Sequence, residues 1–290
     1  MVQDILRLLR PQQWLKNLFV LAPLFFAGQV PNRAALLASL TAAGLFCLLS
    51  SSVYAFNDIC DRRRDQAHQL KRNRPLAAGR VPLAVAGGLS LALAATSLAG
   101  AWVTLGAGAG RFMLVYLGLN AAYSLWLKRL PVIDALCVAA GFILRVMTGG
   151  AAAGVPVSPW LMLMTVALAL LMVFGKRRHE LLLVGQDQKQ REALDGYSRE
   201  FLNHAIAVLT TLTLICYLLY CLEAKAAQAL GPGVVLATAV WALYGLLRYL
   251  NLVFTHGRGG DPVRLLINDP PLMLAGVGWA AHWAVLLYWP

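Results

Sequence analysis

An asparagine and three aspartates form the most distinctive polar cluster in the sequence. Asn57, Asp61 and Asp65 are spaced four residues apart, so on a helix they share one face, and Asp58 lies at its flank. Three carboxylates within two turns repel one another unless a cation lies between them. Oxygen ligands suit Mg²⁺, which binds one or two carboxylates together with substrate phosphates and water. The cluster therefore predicts a catalytic Mg²⁺ site; the alternative is a solvated helix end whose acids pair with Arg62–Arg64.

A basic segment follows this cluster closely. It reads Lys71-Arg72-Asn73-Arg74 and continues into Pro75-Leu-Ala-Ala-Gly. Guanidinium and ammonium groups beside a carboxylate–metal cluster bind phosphate oxygens directly. The pair of motifs thus predicts a diphosphate or phosphosugar substrate, and the alternative is an ordinary positively charged membrane-protein loop.

The elements that must position these residues are membrane helices. The 290 residues are 59% hydrophobic and only 13% charged, with a mean hydropathy of +0.65, whereas soluble proteins are about 25% charged. This composition excludes a disordered chain and argues strongly against a water-soluble domain. In so apolar a chain, a net charge of +12 indicates cytoplasmic loops beside anionic lipid rather than a nucleic-acid partner. The five cysteines form no CxxC pair, which argues against a disulfide framework or a zinc site.

Nine apolar runs are long enough to cross a bilayer, which requires about 20 residues. They are 15–31, 35–56, 81–105, 111–127, 132–153, 158–174, 201–221, 232–252 and 271–289. The sequence shows no composition shift that would separate two domains. We therefore predict an all-α polytopic membrane protein with a single domain over 1–290.

The basic residues predict which side of the membrane each loop faces. With nine spans, 21 of the 25 Lys and Arg residues lie on one side and three, Arg33, Arg111 and Lys225, lie on the other. Cytoplasmic loops carry the excess of Lys and Arg. The N-terminus and the large polar loops are therefore expected in the cytoplasm, and the C-terminus outside.

The motif Asn57-Asp-x-x-Asp-x-x-x-Asp65, followed by Lys71-Arg-x-Arg-Pro-Leu-Ala-Ala-Gly79 within nine spans, resembles the UbiA superfamily of intramembrane prenyltransferases. The resemblance covers nearly the whole chain. It implies a helical bundle with a cytoplasm-facing active-site cavity. It also implies that the first aspartate motif binds Mg²⁺ and a diphosphate.

The segment after the sixth predicted span narrows the resemblance to one branch of the superfamily. Members that move a prenyl group carry a second acidic motif here, but Gly175-Lys-Arg-Arg-His-Glu180 has a single acid. The chain is similar instead to the decaprenyl-phosphate phosphoribosyltransferase branch. Further likenesses are Arg10-Pro-x-x-Trp-x-Lys-Asn17, Tyr123–Lys128, Leu144–Gly150 and Gly260-Asp-Pro262.

This likeness implies transfer of 5-phosphoribose from phosphoribosyl diphosphate to a polyprenyl phosphate, with release of diphosphate. The alternative is a UbiA-type prenyltransferase that moves a prenyl group from a prenyl diphosphate to an aromatic or quinone-precursor acceptor. In the favoured reaction, cations bind the donor's phosphates without a second acidic motif. The expected substrate-binding residues are Lys16, Asn17, Asn57, Lys71, Arg72, Arg74, Tyr123, Lys128, Asp134, Arg145, Lys176, Arg177 and Glu180.

Arg145 leaves two interpretations open because it lies within a predicted span. Such a residue faces a polar cavity and binds phosphate, or it is buried as a helix brace or paired with Asp134. Asp134 itself either orders Lys128 or interacts with the positive end of a helix dipole. The nearby Thr148-Gly149-Gly150 favours close helix packing over a phosphate loop.

A transporter is the competing function from a different class. Transporters carry mid-membrane charges and broken helices in paired halves, whereas here only Arg145 is deep and the acids lie at one face. The pattern favours an enzyme of a bacterial inner membrane with two substrates and no nucleic-acid partner. The sequence leaves open whether it is a monomer or a homo-oligomer.

Overall fold

Helices build the described chain. The computed structural model describes residues 1–67, 71–183 and 192–289, which contain α-helices and 3₁₀ helices but no strand. These residues group into two compact units, 1–156 with 192–196 and 157–183 with 197–289. The all-α fold class expected from the sequence is confirmed.

The first unit contains six α-helices and four 3₁₀ helices. The α-helices are α1 (Val2–Leu9), α2 (Ala22–Phe26), α3 (Arg33–Gln66), α4 (Leu83–Thr104), α5 (Gly106–Leu125) and α6 (Ile133–Ala153). The 3₁₀ helices are Pro11–Val20, Lys71–Asn73, Leu127–Arg129 and Glu192–Gly196. Phe46 of α3 packs edge-on against Tyr116 of α5, with ring centroids 4.7 Å apart. Small buried residues, including Ala42 and Ala101, allow close helix approach in the same core.

Helix α3 is longer than a bilayer requires, and its excess length carries the acidic motif. The Asn32 side chain caps its N-terminus by accepting a hydrogen bond from Ala35 N at 3.3 Å. Its 34 residues span about 50 Å at 1.5 Å per residue, against about 30 Å of hydrocarbon. One rigid helix therefore continues from the apolar core into the aspartate cluster, as the four-residue spacing predicted.

The first predicted span, 15–31, is not one continuous helix. A ten-residue 3₁₀ helix, Pro11–Val20, is followed by the five-residue α2 and a turn at Gly28 with φ of 67°. Pro23 lacks an amide hydrogen and interrupts helical hydrogen bonding. A Cβ on Gly149 of α6 would overlap the Val20 carbonyl, so this glycine permits close packing, as the sequence favoured.

The second unit contains seven α-helices. They are α7 (Pro159–Leu182), α8 (Arg199–Glu223), α9 (Lys225–Leu230), α10 (Pro232–Leu236), α11 (Ala239–Phe254), α12 (Pro262–Asn268) and α13 (Pro270–Tyr288). The Tyr217 hydroxyl accepts hydrogen bonds from Trp279 Nε1 at 2.8 Å and Trp283 Nε1 at 2.9 Å. Arg248 donates two hydrogen bonds to Asp269, which holds the pKa of that carboxyl below its usual value. These contacts join α8 and α11 to α13.

Seven helices in the described residues are long and apolar enough to cross a membrane. They are Arg33–Gln66, Leu83–Thr104, Ile133–Ala153, Pro159–Leu182, Arg199–Glu223, Pro232–Phe254 and Pro270–Tyr288. Each coincides with a predicted span. Of the other two predicted spans, 111–127 corresponds to the 20-residue helix α5, and 15–31 is the interrupted segment described above.

Candidate active site

Two cations contact the α3 side chains in two groups. Arg74 bridges Asp58 and Asp65, and Lys128 bridges Asp61 and Asn57. Asp58 and Asp65 are seven residues apart, two helical turns, and both face Arg74: its Nη1 lies 3.2 Å from Asp58 Oδ1 and 2.7 Å from Asp65 Oδ2. Asp61 lies with Asn57 on a neighbouring strip of the helix. Lys128 Nζ donates to Asp61 Oδ1 at 2.6 Å and to Asn57 Oδ1 at 3.3 Å. The spacing predicted Asn57, Asp61 and Asp65 on one face with Asp58 at its flank. In the structure, Asp65 shares Arg74 with Asp58, and Asp61 shares Lys128 with Asn57.

Arg74 reaches the helix because the loop that carries it is anchored. Its carbonyl accepts from Ala78 N at 2.8 Å, and Leu76 is fully enclosed with Leu8 of α1 in a small apolar cluster. Arg80 ties the same loop together by donating to Asp4 Oδ1 at 2.9 Å and to the Asn73 carbonyl at 2.7 Å. The predicted residues Lys71 and Arg72 lie in the 3₁₀ helix Lys71–Asn73.

Lys128 is presented by a tight connection between α5 and α6. It lies in the 3₁₀ helix Leu127–Arg129 and is buried. Val132, four residues later, has φ of 66°, a conformation that β-branched residues rarely adopt and that functional sites tend to retain. Asp134 is buried in the first turn of α6, where the helix dipole favours a negative charge. Tyr123 belongs to the end of α5, one turn before this connection.

Arg10 is a site residue that the sequence-based set did not include. Its Nη2 donates to Asp58 Oδ1 at 2.5 Å, and its guanidinium lies 5.2 Å from the centre of the Tyr54 ring. Arg10 ends α1 with φ of 53°, and this left-handed turn separates α1 from the 3₁₀ helix Pro11–Val20. Its place at the head of the Arg10–Asn17 motif was the signal that could have identified it. Three cations from three separate segments thus meet the three carboxylates of α3.

Asn17 and Arg145, both expected to bind substrate, contact each other. Arg145 donates from Nε to Asn17 Oδ1 at 2.9 Å, from Nη2 to Tyr116 Oη at 3.0 Å and from Nη1 to the Gly141 carbonyl at 2.8 Å. Its guanidinium also lies 4.9 Å from the centre of the Phe46 ring. The Asn17 amide donates to Ser50 Oγ at 3.2 Å. These contacts connect the Pro11–Val20 segment, which also carries Lys16, to α3, α5 and α6.

The donor set of this region fits Mg²⁺ chemically. Among the described residues, no three His, Cys, Asp or Glu side chains come close enough to hold a metal ion by themselves. Arg74 and Lys128 lie against the carboxylates of the predicted four-residue cluster. Mg²⁺ usually takes only one or two carboxylates and completes its shell with substrate phosphates and water. The Asp61 carboxylate and the Asn57 amide oxygen are ligands of this chemical type, and the two side chains are adjacent, since Asn57 Nδ2 donates to Asp61 Oδ2 at 3.2 Å.

The other three predicted residues lie on α7 of the second unit. Glu180 Oε2 accepts from Arg177 Nη1 at 2.6 Å, and Glu180 Oε1 lies 3.9 Å from Lys176 Nζ. Arg177 is buried, whereas Lys176 is exposed. Glu180 therefore contacts both cations and orders the last turns of α7.

Comparison with known proteins identifies relatives along nearly the full chain. The UbiA prenyltransferase family model matches residues 17–191. Decaprenyl-phosphate phosphoribosyltransferase of Corynebacterium glutamicum is 32% identical over 284 residues, which cover 96% of this chain and 85% of the relative. The protein of the same name from Mycolicibacterium smegmatis is 33% identical over 299 residues, 99% of this chain and 93% of the relative.

The fold also matches a solved structure. A UbiA homolog from Archaeoglobus fulgidus, bound to GPP and Mg²⁺, has a TM-score of 0.76 and 21% identity, with 98% of this chain and 99% of that chain covered. At this identity the match shows the fold alone. The seven apolar helices are those of an integral membrane protein. Since the family model matches more than half of the sequence, the chain belongs to the UbiA prenyltransferase family.

Proposed function

We propose that the protein transfers the 5-phosphoribosyl group from phosphoribosyl diphosphate to a polyprenyl phosphate of the decaprenyl type. The observation that carries this choice of substrates is identity of 32% and 33%, along nearly the whole chain, to two proteins named for that reaction. The site supports it, because Arg10, Arg74 and Lys128 converge on the α3 carboxylates and suit a donor with several phosphate charges.

The reaction needs a stabilised leaving group and a positioned acceptor. An oxygen of the lipid phosphate attacks C1 of the ribose, the C1–O bond to diphosphate breaks, and diphosphate leaves with the bonding electrons. The acceptor phosphate is already nucleophilic, so this step requires no strong base. Transfer at C1 proceeds through an oxocarbenium-like state, as in glycosyl transfer. The main task of the protein is to stabilise charge on the departing diphosphate.

The basic side chains of the first unit perform this task in the proposal. Arg74 and Lys128 donate to diphosphate oxygens while Asp58, Asp61 and Asp65 hold their cationic groups in place. Asp61 and Asn57 would hold Mg²⁺, which would supply further neutralisation of the diphosphate charge. Lys16, Lys71 and Arg72 bind the donor's other phosphate, and Tyr123 and Asp134 support the Lys128 connection.

Arg145 and Asn17 have a positioning role in this proposal. Arg145 directs its hydrogen bonds to groups of the protein, and one of them fixes the Asn17 amide. The pair holds the Pro11–Val20 segment against α6 and so sets the place of Lys16. Lys176 and Arg177, which contact Glu180 on α7, are the residues of the second unit that we propose to bind phosphate.

We also propose the membrane arrangement expected from the charges. Helix α5 and the interrupted 15–31 segment complete a set of nine membrane segments with the seven long helices. The N-terminus and a cavity holding the active site face the cytoplasm of a bacterial inner membrane, and the C-terminus faces outward.

Incubation of the purified protein with Mg²⁺, labelled phosphoribosyl diphosphate and decaprenyl phosphate tests the function. Lipid extraction should recover label in a phosphoribosylated lipid, with one diphosphate released per transfer. A parallel reaction with a prenyl diphosphate and an aromatic acid tests the alternative. Prenylation of the acid without phosphoribosyl transfer would overturn the donor assignment.

A further inference from the structure

A glycine-rich loop in the second unit is held against the end of α7 from which Lys176 and Arg177 project. The loop, Thr255–Gly260, follows α11. His179 Nδ1 lies 2.5 Å from the Gly257 carbonyl oxygen. Because a carbonyl only accepts, Nδ1 carries the hydrogen and donates it. The imidazole thus connects the last turns of α7 to this loop, which is named the docked loop below.

Two glycines of the docked loop permit this contact. A Cβ at Gly259 would lie 2.4 Å from the Gly175 carbonyl oxygen, and one at Gly260 would lie 2.7 Å from the His179 ring. Both distances are shorter than real Cβ contacts allow. A Cβ at Gly259 would meet backbone, so glycine is required there, whereas a Cβ at Gly260 would displace the His179 ring. On the helix side, a Cβ at Gly175 would lie 2.2 Å from the Tyr249 hydroxyl. Glycines on both partners therefore allow α7, α11 and the docked loop to pack at backbone distance.

Arg178 strengthens the same junction from the next position on α7. Its Nη1 donates to the Val253 carbonyl at 2.9 Å, and its Nε donates to Asn203 Oδ1 at 2.8 Å. Its guanidinium lies 4.5 Å from the centre of the Phe254 ring. Arg178 and His179 are thus bound within the second unit, while the neighbouring Lys176 and Arg177 contact Glu180. At this end of α7, two adjacent residues therefore hold the packing of the second unit, and the two residues before them form the cationic pair beside Glu180.

We propose that His179 is a positioning residue that fixes the Lys176–Arg177–Glu180 turn for diphosphate binding by holding the docked loop against α7. This inference rests on the proposed function in one respect: it assumes that Lys176 and Arg177 bind a phosphate group of the donor. An end turn of a helix frays unless its groups are bound elsewhere. Docking restrains the turn, so the two cations keep one geometry and lose less conformational freedom when phosphate binds.

The first test measures docking without any catalysis. Trypsin cleavage after Arg258, detected by fragment mass on the full-length protein in detergent, reports release of the loop. We expect His179→Ala to increase this cleavage rate about tenfold. Loss of one hydrogen bond raises the equilibrium population of the released loop by about that factor, and cleavage follows that population. His179→Asn should stay near wild type, because its amide donates from a similar position. His256→Ala is the matched control, since that imidazole lies exposed in the same loop.

The second test measures phosphate binding with inorganic diphosphate and Mg²⁺, a probe shared by both candidate donors. His179→Ala should weaken diphosphate binding about tenfold, and His179→Asn should restore it to within about twofold. In the transfer assay, KM for phosphoribosyl diphosphate should rise while KM for the lipid phosphate changes little. A merely structural role would alter both KM values, or only the melting temperature.

Gly259→Ala keeps the proposal testable if the His179 variants fold poorly. It should release the loop and weaken diphosphate binding, whereas Gly233→Ala, with open space around its Cβ position, should do neither. Unchanged cleavage in both His179→Ala and Gly259→Ala would overturn the docking. A released loop with wild-type diphosphate affinity would overturn the positioning role. Failure of wild-type phosphoribosyl transfer would refute the proposed function alone, because cleavage and diphosphate binding would still decide this inference.

Discussion

At the residue scale, the carboxylates of α3 depend on cations supplied by other segments. Asp58 and Asp65 are buried, and an ionised carboxylate is buried at acceptable cost only when it is paired and hydrogen-bonded. Arg74 bridges the two, and Arg10 adds a second contact to Asp58. Each of these cations therefore has a structural role in addition to any contact with phosphate.

Arg74→Ala should destabilise the protein because it removes the cation that contacts Asp65. Breaking a buried ion pair costs about 3–5 kcal/mol, and the partial exposure of Arg74 places the expected loss at the lower end of that range. Adding Asp65→Asn should restore part of the stability, since it removes the uncompensated charge. Thermal unfolding in one detergent measures both, with the exposed Arg72→Ala as the control. Equal stability of Arg74→Ala and wild type would contradict a structural pairing.

Arg145→Met should lower the melting temperature with or without donor present. The substitution keeps much of the side-chain length but leaves the Asn17 and Gly141 oxygens without their guanidinium donor. Unmade hydrogen bonds of buried groups cost about 1–3 kcal/mol. Arg111→Met is the matched control, because Arg111 is exposed and donates to the carbonyl of Ala107 in its own helix. An unchanged melting temperature with a raised donor KM would instead make Arg145 a phosphate ligand.

At the element scale, the short helix α1 connects the N-terminus to the site. Leu8 is fully buried with Leu76 and Val81, and Arg10 follows at the left-handed turn. Helix α3, the loop carrying Arg74 and α1 thus form one assembly whose apolar contacts set the place of the cations. Leu8 and Val81, which help to hold this assembly together, lie outside the motifs, whereas Leu76 belongs to the Lys71–Gly79 motif.

Leu8→Ala should reduce both stability and donor affinity. Truncation of a buried leucine costs about 2–5 kcal/mol, and loosening of α1 should move Arg10 away from Asp58. Leu6→Ala, at an exposed position of the same helix, should change neither property. Melting temperature and KM for phosphoribosyl diphosphate are the measurements. A stability loss without any change in donor KM would show that α1 does not position Arg10.

At the scale of the whole molecule, charge and helix length constrain the orientation in the membrane. Seven helices are long and apolar enough to span the bilayer, and the aspartates lie at the end of one of them. The excess of Lys and Arg on that side favours the cytoplasm. The proposed donor, phosphoribosyl diphosphate, is highly charged and water-soluble, so we predict that the active site faces the cytoplasm, where such a compound is available.

Cysteine labelling tests this orientation. In a Cys60→Ser background, which removes the exposed thiol, a membrane-impermeant maleimide should label Arg33→Cys, Arg111→Cys and Lys225→Cys in intact cells. Arg63→Cys should react only after the membrane is permeabilised. Labelling of Arg63→Cys from outside would reverse the orientation and place the aspartates on the other face.

The sequence by itself determined the class of protein, seven of the spans and the helical face of the aspartates. These properties are local, because hydropathy over about 20 residues and a four-residue spacing depend only on neighbours in the chain. The sequence did not reveal that the helix predicted over 15–31 is interrupted. The interruption involves Pro23, the turn at Gly28 and the packing of the Val20 backbone against Gly149. The apolar composition of that segment is the same in either conformation.

Only the tertiary structure decided which cation meets which carboxylate. Arg10 and Asp58 are 48 residues apart, and Lys128 and Asp61 are 67 apart, so no spacing rule relates them. The tertiary structure also decided that Arg145 hydrogen-bonds to Asn17 and Tyr116, and that His179 hydrogen-bonds to the Gly257 carbonyl. The physical reason is that a charged side chain tolerates burial only where donors and acceptors from other segments meet it. Their meeting is set by how the helices pack.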